Sequence, residues 1–300
     1  TTQNGHIGDV NGCTFSPDGN LLVTASADKT CKVWKVATWS EPQITFSGHT
    51  GAVWGAVFTA DGGVISTGDD NTVRVWGSLS GKLINMLALP DGGRSVAISS
   101  SNKLLAVMCT NGNVHLFALD NSFKELATFS ASNTWSLRSG NLWCRICFSP
   151  VADCEHLVTC RSNDHIVKVW DLSSFAADTG TAAAAAAAAA AGVVAPAASV
   201  CGAAESPSAG DGVSKLTPVW SLEHASDVND VRFSGDGSVI ATASNDRTVE
   251  VWNAATGRQL CTLRSHTNWV GGVAFNPTDS NMLLSCSHDD TVRVWTPADP

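Results

Sequence analysis

The sequence predicts an all-β fold in which one four-stranded antiparallel unit recurs six times. Two observations carry this. Aligned on the aromatic residue that closes each unit, the chain gives Trp34, Trp76, Phe117, Trp170, Trp252 and Trp295, at intervals of 42, 41, 53, 82 and 43 residues. A period in the low forties, divided into short strands, marks propeller blades, each of which buries its apolar faces against its neighbours. The second is strict alternation, as in Thr72-Val73-Arg74-Val75-Trp76 and Thr248-Val249-Glu250-Val251-Trp252, where every second side chain lies on one face of a pleated strand.

The elements follow in a fixed order. A first strand ends in an aromatic or apolar residue followed by Ser or Asn, as in Val10 to Ser16, Val228 to Ser234 and Val270 to Asn276. Turn residues come next, clearest in Pro17-Asp18-Gly19 and Gly235-Asp236-Gly237, which supply local hydrogen bonding and positive φ. A second apolar strand spans Leu21 to Ser26, Val64 to Thr67, Val239 to Ser244 or Met282 to Ser287. A tight turn holding Asp leads to the alternating third strand. The outer strand is weaker: Gln43 to Phe46, Lys82 to Leu87, Arg258 to Leu263.

Residues 171–215 break this pattern. They are rich in Ala, Gly and Ser, including the run Ala182 to Ala191, and have no alternation, turn Asp or closing Trp. Such a composition reads as a low-complexity linker inserted in the propeller. Residues 1–170 then hold repeats one to four and 216–300 hold repeats five and six, within a single propeller domain. The uncharged stretch 181–204 has the length of a bilayer span, but spanning would strand matching repeats on opposite sides of a membrane, so no membrane insertion is expected.

Gly5-His6 and Gly48-His49 open two repeats, Glu223-His224 and Ser265-His266 open two others, and Trp170-Asp171 closes one. With the period, these features resemble the WD40-repeat family over roughly residues 5–170 and 216–296. The resemblance implies a ring of four-stranded antiparallel blades around a central channel. It also implies a structural tetrad per blade: a His before the first strand, a Ser or Thr in the second, the turn Asp and the third-strand Trp. Four repeats match it throughout, as His6/Thr24/Asp28/Trp34, His49/Ser66/Asp70/Trp76, His224/Thr242/Asp246/Trp252 and His266/Ser285/Asp289/Trp295. Such a chain of donors and acceptors lets a blade bury polar groups with each one paired.

Repeats three and four depart. The third has Val107, Asn111 and Phe117 at the hydroxyl, Asp and Trp places and no His; the fourth keeps Asp164 and Trp170 with Cys160 at the hydroxyl place and Asn141 near the missing His. These blades are expected to be the softest. The sequence stops just after the third strand of repeat six. Either six blades close imperfectly, or the natural chain continues and supplies the outer strand or a seventh blade; truncation is the expectation.

Composition narrows the function classes. The net charge is −9 with only 15% charged residues, and no Lys/Arg run offers a phosphate-tracking surface, so nucleic acid is not an expected partner. Ten cysteines without a basic-plus-apolar leader or a usable Asn-X-Ser/Thr acceptor read as reduced thiols of an intracellular protein. The cytoplasm is the expected compartment, with nuclear or cytoskeletal assemblies as other settings.

Three sets of residues resemble chemical sites in type, and each has a structural reading. Recurring His, hydroxyl and Asp resemble a nucleophilic triad in type, but a catalytic triad occurs once and this set recurs with the blade, so it reads as bracing. Cys144, Cys147, Cys154, His156 and Cys160 lie within 17 residues, yet Cys144 and Cys147 are three apart on a strand and point to opposite faces. They read as structural thiols, and no metal is assigned. Asp91-Gly92-Gly93-Arg94 is a turn leading into a blade, without the Lys-Ser/Thr of a phosphate loop. No catalytic residue and no cofactor is expected.

What remains is a surface. In WD40 proteins partners often dock on the face where the turn Asp residues open. Matching positions here give Asp9, Asn11, Trp54, Asp69, Arg94, Asn163, Asp227, Asn229, Asn245, Trp269 and His288. Trp and Arg anchor many protein interfaces, although Trp54 and Trp269 also sit where they would pack between blades. Asp9, Asp69 and Asp227 suit a basic segment. The expected function is a non-catalytic protein–protein interaction scaffold that binds a partner protein or peptide; whether it also self-associates is left open. Alternatives are a substrate-receptor or regulatory subunit of a larger complex such as a ubiquitin ligase and, from another class, a metal-dependent or hydrolytic propeller enzyme.

Overall fold

The structure, a computed structural model, describes residues 5–38, 41–77, 80–120, 122–131, 144–151, 154–162, 164–177, 216–276 and 279–296. Sheet one is β1 (Val10–Phe15), β2 (Leu21–Ser26), β3 (Thr30–Lys35) and β4 (Pro42–Ser47). Sheet two is β5 (Val53–Phe58), β6 (Val64–Gly68), β7 (Thr72–Trp76) and β8 (Leu83–Ala88). Sheet three is β9 (Gly93–Ile98), β10 (Leu104–Cys109), β11 (Asn113–Ala118) and β12 (Glu125–Ser130). Sheet four is β13 (Cys144–Phe148), β14 (His156–Arg161), β15 (Ile166–Asp171) and, after the long insertion, β16 (Trp220–Glu223). Sheet five is β17 (Val228–Phe233), β18 (Val239–Ser244), β19 (Thr248–Asn253) and β20 (Gln259–Arg264). Sheet six is β21 (Val270–Phe275), β22 (Leu283–Ser287) and β23 (Val292–Trp295).

Each sheet is an antiparallel meander, as short turns require. The turn between second and third strands explains its own sequence. Lys29, Asn71, Arg247 and Asp290 each take a positive φ of 58–73°, a region that side chains disfavour. The preceding Asp compensates by accepting from the backbone two residues on: Thr30 N to Asp28 at 3.0 Å, Thr248 N to Asp246 at 2.9 Å. The Asp thus closes the turn and is aimed back into its sheet.

The sheets stack face to face in series. Val53, Ala56 and Phe58 of β5 join Val23, Ala25, Cys31, Val33 and Phe46 of sheet one in a single core. Val231 and Phe233 of β17 pack likewise on Val158, Cys160, Val167 and Val169 of sheet four. The first strands face inward and line an axial cavity of about 320 Å³, with Asn11, Trp54, Ser95, Arg145 and Arg232 drawn from sheets one to five. These are propeller blades.

Two features bear on how the repeats close, and a third departs from the expected linker boundary. Sheet six has three strands among the described residues. Among the described residues, packing runs from sheet one to sheet six without comparable contact between sheet six and sheet one, which leaves a seam there. The regular structure after β15 also runs past the expected start of the linker. Asp171 ends β15, residues 173–177 form a helical turn, and Leu172 and Ala176 are buried in the core shared by sheets three and four. Residues 178–215 lie outside the described residues. Among the described residues no helix is long and apolar enough to cross a membrane.

Candidate functional site

In sheets one, two and six the buried polar groups form a continuous chain. His6 Nδ1 lies 2.7 Å from Asp28 and Nε2 2.7 Å from Thr24 Oγ1, which also accepts the Trp34 indole N–H at 2.8 Å. In sheet two His49 is 2.9 Å from Asp70 and 2.8 Å from Ser66 Oγ, which accepts from Trp76 at 2.8 Å. In sheet six His266 is 2.8 Å from Asp289 and 2.8 Å from Ser285, which accepts from Trp295 at 2.8 Å. The Asp also accepts the backbone N–H after each His, at 3.0–3.1 Å.

The electrostatics follow from this pairing. At Asp28 burial raises the carboxyl pKa, but hydrogen bonds from Thr30, His6 and the Ile7 amide outweigh it and bring the value down to about 2. Asp70 is lowered the same way: burial opposes, and bonds from His49, Thr72 and Thr50 prevail. Burial holds His49 below the ordinary imidazole value of 6.5, against the pull of Asp70. Both ring nitrogens of these histidines are committed to partners, so none is poised as a general base.

Sheet four corrects the placement of Cys160. The Trp170 indole donates to Thr159 Oγ1 at 3.0 Å. Trp170 pairs with Leu157, thirteen residues earlier, whereas Trp34 pairs with Leu22, twelve earlier. The turn is one residue longer, and a one-residue shift exchanges the two faces of a strand. Thr159 therefore takes the hydroxyl place and Cys160 turns into the core against sheet five. Counting back a fixed ten residues from Trp missed Thr159; the length of the turn was the available signal. Asn141 lies outside the described residues. In sheet three Val107 and Phe117 are buried in an apolar core, and His115 instead meets Glu125 at 2.7 Å.

Sheet five breaks the pattern differently. Trp252 donates to Thr242 at 3.2 Å, but neither nitrogen of His224 has a hydrogen-bond partner among the described residues. Its Nδ1 instead stands 3.2 Å from Glu250 Oε2. The structure does not bring His224 onto Thr242 and Asp246 as it brings His49 onto Ser66 and Asp70.

The expected docking face is mostly self-occupied. Asn11 donates to the Val53 carbonyl at 2.9 Å and Asn229 to that of Val270 at 2.8 Å, each tying one sheet to the next. Asn229 also donates to Asn245, at 2.7 Å. The Arg94 guanidinium lies 4.0 Å over the Trp54 ring and 3.2 Å from Asp69. Asp227 is 3.2 Å from His165. Asp9 is exposed. Trp269 is 53% exposed and meets His288 edge-on with ring centres 6.0 Å apart. Asn163 lies outside the described residues.

The cysteines among the described residues are free thiols, and those of sheet four do not converge. Cys144 packs between sheets three and four, while Cys147 and Cys160 pack between sheets four and five. Burial pushes Cys144 up to about 11 and Cys31 to about 12, far from the thiolate form that binds metal or attacks carbon.

Comparison with known proteins agrees with this architecture. Residues 1–35, 40–77, 125–171, 216–253 and 257–296 match the family WD domain, G-beta repeat. The unmatched residues 78–124 hold most of sheet three, the sheet that lacks the His, hydroxyl, Asp and Trp set. Lissencephaly-1 homolog 1 of Paramecium tetraurelia is 43% identical over 58 residues, 19% of this chain and 14% of that protein. WD repeat and SOCS box-containing protein 1 of Homo sapiens is 41% identical over 76 residues, 25% of this chain and 18% of that protein. Periodic tryptophan protein 2 of Arabidopsis thaliana is 43% identical over 72 residues, 24% of this chain and 8% of that protein. The matched stretches thus span less than a fifth of these relatives. With more than half of its residues matched repeat by repeat, the chain belongs to the WD-repeat family.

Proposed function

We propose that this chain is a non-catalytic protein-interaction platform inside the cell, which binds a partner protein or peptide on the face carrying Asp9, Asp69, Trp269 and His288. The observation that supports this most is Trp269, a large aromatic left 53% exposed at the rim. An exposed Trp beside a second ring is a ready anchor for a partner side chain. The histidines of sheets one, two and six are consumed in bracing, which removes the most obvious general bases. The rim carboxylate of exposed Asp9, with Asp69 beside Arg94, favours a Lys/Arg-containing segment. Of the eleven expected contact residues, Asn11, Asn229, Trp54 and Arg94 serve mainly to join sheets.

Fluorescence polarisation with arrayed basic and acidic peptides tests this reading. Wild type is expected to retain a set of basic peptides, and Trp269→Ala to lose them with an unchanged thermal transition. Retention of the same set by Trp269→Ala and by a Trp269→Ala/Asp69→Asn double variant would place binding elsewhere. A second reading, as a substrate-receptor or regulatory subunit, draws on the human relative whose name joins WD repeats to a SOCS box.

A further inference from the structure

The anomaly of sheet five has a chemical cause in one residue. Two positions before the closing Trp, sheets one, two, four and six carry Lys32, Arg74, Lys168 and Arg293. In sheet two this cation stands 3.6 Å from the turn carboxylate, Arg74 Nη2 to Asp70. Sheet five has Glu250 there. A buried carboxylate thus replaces a cation beside Asp246, and the local charge changes by two units in the negative direction.

The consequences converge on one point. Liganding atoms of His224, Asp246 and Glu250 all lie within 4.8 Å of one another. The His224 side chain is wholly buried, with both nitrogens lacking a hydrogen bond among the described residues, and Glu250 Oε2 also lacks one. A buried polar atom without a partner costs about 1–3 kcal/mol, so three in one place mark an arrangement that is incomplete. Ligands of a four-coordinate Zn2+ at about 2.0–2.2 Å lie roughly 3.4 Å apart. The 3.2 Å between His224 Nδ1 and Glu250 Oε2 meets this already, and Asp246, anchored through Oδ1 by Thr248, offers a carboxylate oxygen within 4.8 Å.

We propose that His224, Asp246 and Glu250 form a binding site for a divalent transition-metal ion of the Zn2+ type, which braces sheet five in place of the hydrogen-bonded chain of sheets one, two and six. One imidazole and two carboxylates suit such a borderline ion, and the fourth ligand is water. The ion satisfies the imidazole and neutralises the two carboxylates. His224 directly follows β16, so the ion also pins the chain where it returns from the long insertion.

The test uses the full chain, stripped with EDTA and titrated with Zn2+ alone by calorimetry, with Co2+ absorption as a second readout. Wild type is expected to bind one ion more than about 10-fold tighter than Glu250→Lys or Glu250→Gln. Its melting temperature should rise with Zn2+ while theirs stays fixed. Glu250→Lys installs the cation found at Lys32, Arg74 and Arg293 and is expected to keep the fold, which circular dichroism checks. No binding by wild type, or equal affinity in all three proteins, overturns the proposal; the first result leaves a proton shared by Glu250 and His224 to balance the site.

Discussion

The junction of sheets one and two and the seam beside sheet one use the same residues to opposite effect. Val53 and Phe58 of β5 are 0% and 7% exposed, whereas Val10 and Phe15, their counterparts in β1, are 55% and 57% exposed. On the other side of the seam Leu284, Val292 and Val294 are 37%, 68% and 59% exposed, where Ile65, Val73 and Val75 of sheet two are 0%, 0% and 7%. Register and residue type match, so the strands alone do not decide burial; the neighbouring sheet does. An apolar strip of this kind on both sides of a gap is what a blade presents before its neighbour is in place.

The largest expected effect sets the two regions against each other directly. Ile65→Ala removes side-chain atoms from a packed junction and should cost about 2–5 kcal/mol. Leu284→Ala, at the same register position in sheet six, should cost less than about 1 kcal/mol because part of its surface is already in water. Urea unfolding measures both. Equal costs would mean that the seam is covered in solution and that the comparison fails.

The polar bracing is distributed unevenly around the ring. Sheets one and six, which border the seam, both hold the complete chain from Trp through hydroxyl and His to Asp. Sheet two, packed on both sides, holds it as well; sheets three, four and five do not. A sheet with one free face has less apolar burial to hold it, and there the hydrogen-bonded chain makes up a larger share of its stability. Sheet four, at the interior, tests the assignment of its remaining bond. Thr159→Val should cost about 1–2 kcal/mol, since it leaves the buried Trp170 indole without an acceptor. Cys160→Ala should cost only what a small cavity costs. If Cys160 rather than Thr159 serves the indole, Thr159→Val becomes neutral.

The same example shows what the sequence made legible. Wherever the second turn keeps its length, the hydroxyl, Asp and Trp fall at fixed offsets, and strand order, the six repeats and the bracing of sheets one, two and six can be read directly. One extra turn residue in sheet four moved every side chain of β14 to the other face, and no composition signal records that. Glu250 fits the alternation of its strand perfectly well; its effect on His224 depends on which groups the turn brings beside it. At the rim, residue type marked Trp54 and Arg94 as anchors, but each is the other's partner. Imperfect closure was legible in the repeat count, but the exposure of Val10 and Val292 was not, because it is a property of the sheet across the gap.

Acid titration gives the smallest and most diffuse effect, and its sign follows from the bracing. His49 has a folded-state pKa below its ordinary 6.5, so the unfolded chain takes up the proton first and stability falls as the pH drops through 6.5. Asp28 and Asp70 have folded-state values below 3.8, Asp28 at about 2. Their contribution is fully present above 3.8 and is lost as the pH falls towards 2. These two effects run in the same direction, whereas Glu250, raised from 4.5 to about 7, and His224, lowered to about 4, oppose each other between pH 7 and 5. The His49 step is therefore read as the difference between wild type and a His49 variant, and melting temperature should decline more steeply below pH 4. His49→Gln removes the upper step at sheet two, where the packed junction keeps the fold intact. Melting curves of this variant should be flatter than wild type between pH 7 and 5 and parallel below pH 4. An unchanged upper slope would show that the imidazole of a packed blade titrates as it does in water, and that burial does not hold it neutral.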